Sequence, residues 1–389
     1  MLCERTSGRS YTRRVDIARD NPVGRVPDTR GTRRVELRLT GSGWQLGHRR
    51  GDWSHGAVQR LLTRLDTVHA VHWTGTTLPA QAHQFATFIH RAVARGSYVS
   101  GAVQPEVAAI LPADLASRIA PAPHPGDVGE LAWDVAAVEQ RRAALAALLP
   151  SPPPISVVLV SRRSDLIAPM VRRIAAQNYP ELEIVVGAHG TPLPAGLGQA
   201  AGSRPLVARE LDAGLVFGDA LNEAFSFASG TLVNKSDDDD YISDDHIWDL
   251  AAAHVYSRAT LVGKTTTVVF LEALDTTVRR VFGAREAFTH RVAGSTMTMS
   301  ADDLRAVGGW PSVPRAVDTE LLRSVQRHSG TVYQPHDIGY LYLRGHDPQA
   351  HTWAADVGHF LRNVREQWVG LLQHPAFGTT SPADGAPVR

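Results

Sequence analysis

Four consecutive carboxylates, Asp237 to Asp240, stand between a short apolar run, Thr231-Leu232-Val233, and Tyr241. Like charges packed this closely repel one another and resist burial. Two arrangements relieve them. A hard divalent cation takes oxygen ligands and bridges to phosphate. Alternatively the run is a solvated acidic turn or a helix N-terminus, where acidic side chains meet the positive end of the helix dipole. The flanking elements decide between the two.

Those elements alternate strand and helix. Ile155 to Val160 is a near-continuous apolar run, the mark of a buried parallel strand. Ile167, Met170, Val171 and Ile174 then recur at helical spacing, with Pro169 predicting that the regular part of the helix starts late. Leu182 to Val186 reads as a second strand. Ala220, Leu221, Ala224, Phe225 and Ala228 mark another helix, with Gly230 at its expected C-cap. The strand leading into the aspartates follows directly. This order predicts an α/β fold with a doubly wound, mostly parallel sheet. Such sheets bind ligands beyond the carboxyl ends of their strands, where the aspartates fall. The pattern therefore favours a cation site over a solvated turn.

Upstream, a proline cluster at 150–154 separates this region from a smaller α/β unit over 35–149. Val35 to Leu39 alternates as a strand, and Leu61, Leu62, Leu65 and Val68 suit a helix face. Phe85, Phe88, Ile89 and Val93 make a second helical stripe. Residues 131–149 read as the helix that closes the unit. His69 and His72 fall on a predicted strand, pointing to opposite faces, so packing explains them better than metal binding. Residues 1–34 are arginine-rich without an apolar period and read as a mobile basic tail; contact with an anionic surface is the functional alternative.

A net charge of +1 argues against a dedicated nucleic-acid binder. The single cysteine, Cys3, excludes an intramolecular disulfide and a cysteine-rich zinc site, which suits a reducing cytoplasm. No apolar stretch approaches the length of a membrane span, while attachment to a membrane surface stays open. The oligomeric state is not legible.

Several ordered stretches resemble the family-2 glycosyltransferases, which have the GT-A fold. They are Ser156 to Ser161, Gln177 to Val186, Gly218 to Ala224, Ala228-Ser229-Gly230 and Asp237 to Tyr241. They continue with Ala293-Gly294-Ser295-Thr296, Val307-Gly308-Gly309-Trp310 and Val317 to Leu321. The resemblance spans 155 to about 353. It implies a metal-dependent, inverting, non-processive transfer of a sugar from a nucleotide-diphospho-sugar donor to a hydroxyl acceptor.

On this resemblance Asp237 and Asp239 hold Mn²⁺ or Mg²⁺ on the donor diphosphate, with Asp240 as the third acidic neighbour. Asp238 takes the variable position, beside the donor or solvated. Asp318 falls where inverting members carry a general base, with Val317 in place of the usual Glu; Glu320 is the fallback. An N-cap role for Asp318 is compatible with that. His351, and after it His346, is the candidate C-terminal histidine on the metal or phosphates.

Two departures stand out. The second strand runs into Gly187-Ala188-His189-Gly190, so the familiar nucleobase carboxylate is missing and His189 is left to contact the base. The first strand ends in Ser161-Arg162-Arg163, where Ser161 and Arg163 are the candidates for donor binding; Arg162 or Arg163 could pair with its diphosphate, and one of them could simply be solvated. Lys264 is a candidate for donor phosphate or acceptor. A processive-synthase Gln-x-x-Arg-Trp element is absent. Val357, Phe360, Leu361, Val364 and Trp368 predict a helix within 354–375, followed by a loose tail over 376–389. The rival functions are a sugar-nucleotidyltransferase and a non-catalytic nucleotide-sugar or glycan-binding module.

Overall fold

The computed structural model describes residues 15–25, 34–119, 130–281, 285–346 and 355–380. They divide into two compact units. The first holds the described residues up to 22, then 34–119 and 139–148; the second holds 23–25, 130–138 and the described residues from 149 onward. The chain therefore crosses between the units inside the helix Glu130–Ala146 and again at 148/149, just before the proline cluster. No helix among the described residues is long and apolar enough to cross a membrane.

In the first unit the strands β1 (Arg34–Leu39), β2 (Gly43–Leu46), β3 (Arg49–Asp52), β4 (Ala70–Thr74) and β5 (Tyr98–Ser100) form one sheet in the order β3-β2-β1-β4-β5. The helices His55–Leu65 and Ala82–Ala94 bury the apolar stripes read from the sequence, Leu61, Leu62 and Leu65 on one and Phe85, Phe88, Ile89 and Val93 on the other. His72 lies on β4 with Nδ1 3.0 Å from Ser100 Oγ, a packing contact. The described part of the basic N-terminal segment departs from a mobile tail. Asp20 is buried, accepts from Arg91 Nε at 3.0 Å, and stands 3.7 Å from an Arg95 nitrogen. An isolated acidic residue among arginines shows no periodicity, so only its distant partners reveal the anchor.

In the second unit β6 (Ile155–Ser161), β7 (Leu182–His189), β8 (Leu206–Leu211) and β9 (Leu232–Ser236) run parallel. After β10 (Tyr241–Ile242), β11 (Leu261–Val262), β12 (Val268–Leu271) and β13 (Thr276–Arg280), the chain adds β14 (Ala287–Thr289) and β15 (Thr298–Ser300). It ends with β16 (Val332–Gln334), β17 (Tyr340–Arg344) and β18 (Val364–Val369). The main sheet has eight strands in the order β14-β16-β11-β15-β9-β6-β7-β8. Every residue of β6 is buried. Its alternate side chains enter two cores: Ile155, Val157 and Leu159 meet Ile167, Met170 and Ile174, while Val158 and Val160 meet Ala220, Leu221 and Phe225. This is the doubly wound α/β architecture that the strand-helix alternation predicts.

The order of strands sets the position of the site. From β6 the chain steps outward to β7 and β8, then returns to lay β9 on the other side of β6. That reversal makes a topological switch point at the carboxyl ends of β6 and β9, the place where open parallel sheets leave a crevice.

Four local expectations change. The helix Ser164–Ala175 runs through Pro169 from its first residue. The carbonyl that Pro169 cannot bond belongs to Asp165, which is exposed, so losing that bond does not leave a buried carbonyl unpaired. Gly230 does not cap a helix, since Phe217–Phe225 ends at Ser226. A Cβ at Gly230 would instead meet the Ser156 nitrogen at 2.5 Å, so the glycine allows the backbones at the start of β6 and β9 to approach. The predicted C-terminal helix is one turn, Val357–Phe360, followed by β18. Asn363 at φ 59° turns the chain out of the helix, and Val364 to Val369 alternates half-buried and exposed against β13. Finally, the start of the expected loose tail is anchored: Phe377 is fully buried in the turn Pro375–Phe377.

Candidate active site

At the switch point, Ser161 and Arg163 leave the end of β6 beside the aspartates that leave β9. Parallel pairing of Leu159 with Ser236 puts the two strand ends level. Asp238 turns into the crevice, accepting from Ser161 Oγ and from both Nε (3.0 Å) and Nη2 of Arg163. The same Nη2 donates to Asp239 Oδ2 at 2.7 Å. Arg163 thus forks across two carboxylates while 42% of its side chain stays exposed. Burial alone would push its guanidinium down; Asp238 and Asp239 outweigh that and hold it firmly charged. Burial, then the neighbouring Asp238, pushes the Asp239 carboxyl up to about 6.

Asp237 points elsewhere. Strand alternation puts residues two apart on one face, so Asp237 shares its side with Lys235. Lys235 Nζ donates to Asp237 Oδ1 at 2.6 Å and stands 3.3 Å from Asp318 Oδ1. Asp318 sits in the first turn of the helix Val317–Arg327, whose N-cap is Ala316 at φ 59°. The cap is Ala316 and not Asp318, so the N-cap expectation gives way to a side chain directed at Lys235. Burial raises the Asp318 carboxyl; Lys235 opposes that and Asp237 adds to it. Glu320, the fallback base, is paired on the same helix with Arg323.

Asp240 departs from the expected metal role. It is buried, and its Oδ2 accepts from Ser295 Oγ at 2.7 Å and Tyr340 Oη at 2.8 Å, while Oδ1 accepts from the Leu343 amide at 3.1 Å. Burial and the neighbouring Asp239 and Asp237 push its carboxyl well above the ordinary range. Its work is to join the aspartate loop to β17 and to the turn Gly294–Thr296.

The remaining candidates separate. His189 is buried, with Nε2 3.0 Å from Leu215 O and Arg162 packed along its ring, so no edge is turned out toward a base. Lys264 is fully buried, donating to Asp249 Oδ2 at 2.8 Å and to Ile338 O at 2.5 Å. Its ammonium is committed inside the fold, which a strand-end position could not reveal. His346 is exposed with its amide on Glu272 Oε2 at 2.7 Å. His351 lies outside the described residues.

The donors fit a small hard cation. Asp237 and Asp239 supply carboxylate oxygens, with side chains 38% and 13% exposed, and each uses one oxygen on a cation of the chain. Among the described residues no three His, Cys, Asp or Glu side chains gather as a cation cage. An Mg²⁺-like ion needs no such cage: it takes one or two carboxylates and completes its shell with water and substrate phosphate.

Reading the residues one at a time missed Lys235 and Gly294. The signal for Lys235 was its place in an otherwise buried strand, two residues before Asp237. Gly294 fell within a matched stretch, but its reason is spatial: a Cβ there would overlap Asp318 Oδ2 and stand 2.9 Å from Oδ1.

No family model and no curated protein matches this chain. Among solved structures it is similar to the mannosyltransferase PcManGT from Pyrobaculum calidifontis, in complex with GDP-Man and Mn²⁺. That match is 16% identical with a TM-score of 0.38, and covers 50% of this chain and 57% of that one. It is also similar to S. aureus TarS 1-349 in complex with UDP-GlcNAc, at 16% identity and TM-score 0.41, covering 52% of this chain and 62% of that one. The match thus spans less than two thirds of either chain. Likenesses of this size carry no assignment of activity, which rests on the residues themselves.

Proposed function

We infer that the chain is a metal-dependent, inverting glycosyltransferase of the family-2 type. It moves a sugar from a nucleotide-diphospho-sugar to an acceptor hydroxyl. One observation supports the reading: two charged groups stand at the carboxyl ends of β6 and β9, Asp239 with the forked cation Arg163, and Asp237 with Lys235 and the part-exposed carboxylate Asp318.

Asp237 and Asp239 are the residues that would hold a divalent cation, which when bound offsets the charge growing on the departing diphosphate. Arg163 faces the same diphosphate with a planar fork suited to phosphate oxygens. Asp318 accepts the proton of the acceptor hydroxyl. The acceptor oxygen bonds to the anomeric carbon as the bond from that carbon to the phosphate oxygen breaks, and its electron pair leaves with the nucleoside diphosphate. A single displacement of this kind inverts the anomeric centre. Neither His189 nor Lys264 enters the scheme.

The test is a thermal-shift screen of nucleoside diphosphates with and without Mn²⁺, followed by a transfer assay with the corresponding sugar donors. Stabilisation by one nucleotide that depends on Mn²⁺ and disappears in Asp239→Ala supports the reading. Full transfer activity in Asp239→Ala sinks it. Pyrophosphate release from a nucleoside triphosphate would favour nucleotidyl transfer instead.

A further inference from the structure

Lys235 lies in β9, whose five residues are all buried, and 2% of its side chain is exposed. A buried ammonium is costly unless it is paired. Asp237 Oδ1, at 2.6 Å, meets that need by itself. A second carboxylate nevertheless reaches the same nitrogen from a different element: Asp318 Oδ1, at 3.3 Å. The Asp318 carboxylate also lies against the bare backbone of Gly294, where any side chain would collide with it. Asp318 is therefore held between an ammonium and a glycine, with 36% of its side chain still open to a substrate. Two carboxylates on one side of a sheet repel each other. The Lys235 ammonium stands between them, 2.6 Å from one and 3.3 Å from the other, and offsets that repulsion.

We propose that Lys235 is a positioning residue for sugar transfer: its buried ammonium ties the proposed base, Asp318, to the cation-binding Asp237, and Gly294 supplies the space that this hold requires. The proposal rests on the glycosyl-transfer reading above. Lys235 touches neither substrate nor cation in this scheme. It acts through Asp318, and the consequence is non-additivity.

The experiment is a double-mutant cycle of Lys235→Met with Asp318→Asn, using the donor that the screen selects and following nucleoside diphosphate release. Gly294→Ala with Asp318→Asn is a second, parallel cycle. Each variant is checked for native fold by thermal melting. In the wild-type background Lys235→Met and Gly294→Ala each lower kcat by roughly a hundredfold, the scale of loss for a misplaced catalytic group. Mn²⁺·nucleotide affinity, read by calorimetry, is retained in Gly294→Ala. In the Asp318→Asn background Gly294→Ala costs nothing further, and Lys235→Met costs only what Mn²⁺·nucleotide affinity loses through Asp237. Losses that instead add in both backgrounds, or wild-type kcat in either single variant, overturn the proposal. If Lys235→Met does not fold, the Gly294 cycle decides alone. Failure of the underlying reading looks different: no donor is found, or Asp318→Asn itself transfers at the wild-type rate.

Discussion

At the scale of single residues, the division of labour among the carboxylates yields the sharpest expectations. Asp318→Asn keeps the shape of the side chain and removes the basic oxygen. Transfer should fall by about 10²–10⁴-fold, the usual contribution of a general base, while Mn²⁺·nucleotide still raises the melting temperature. A base works only when ionised, and burial lifts Asp318 above its ordinary value against the pull of Lys235. The acid limb of kcat/KM should therefore lie above the normal aspartate range, with activity lost as pH falls through it. Arg163→Gln should weaken nucleoside diphosphate binding by about 10–100-fold in calorimetry, because a charged hydrogen bond contributes about 1.5–3 kcal/mol. The place of Asp237, Asp239 and Arg163 just beyond strand ends was legible because each follows a short apolar run closely in sequence. Asp240 was not separable from them: its partners Ser295 and Tyr340 are 55 and 100 residues away. His189 and Lys264 sit at strand ends too, and there the same cue pointed to side chains that the fold keeps inside.

At the scale of elements, a buried ion network holds a second sheet of the second unit, five strands in the order β10-β17-β12-β13-β18. Asp337, between β16 and β17, accepts from Thr267 Oγ1 at 2.8 Å and stands 3.2 Å from Arg285 Nε. Arg279 on β13 pairs with Glu366 on β18 at 2.8 Å and with Asp134. Burial alone would raise the Asp337 carboxyl; Arg285 and Arg279 outweigh it and hold it well below the usual range. A depressed carboxyl contributes stability that is present above its unfolded value, near pH 4, and lost as pH falls through its folded value. Asp337→Asn should therefore cost about 3 kcal/mol in urea unfolding at pH 7, since it strands buried arginine charge. The gap from wild type should close in strongly acidic solution. The strands of the main sheet were readable from apolar runs and spacing. β18 was not, because Val364 and Trp368 satisfy a helical period as well as a strand period, and β13 as a partner decided between them.

At the scale of the whole molecule, ligand binding is linked to folding. Mn²⁺ with the preferred nucleoside diphosphate at about a hundred times its Kd should add about 2.7 kcal/mol to stability. Hydrogen exchange should slow at 161–163, 237–239 and 294–295, the segments that converge at the switch point. Protection gained elsewhere in the second unit but not in these segments would contradict the site. What the sequence by itself determined is local and periodic: the doubly wound order of strands and helices, the aspartates at a strand end, and a proline-marked divide. Those follow from backbone period and side-chain polarity, which act over a few residues. Tertiary structure alone decided which carboxylates face the crevice, which histidine and lysine are sealed inside, and that Lys235 joins Asp237 to Asp318. These depend on which elements become neighbours, and burial and charge pairing across distant segments leave no periodic trace in the chain.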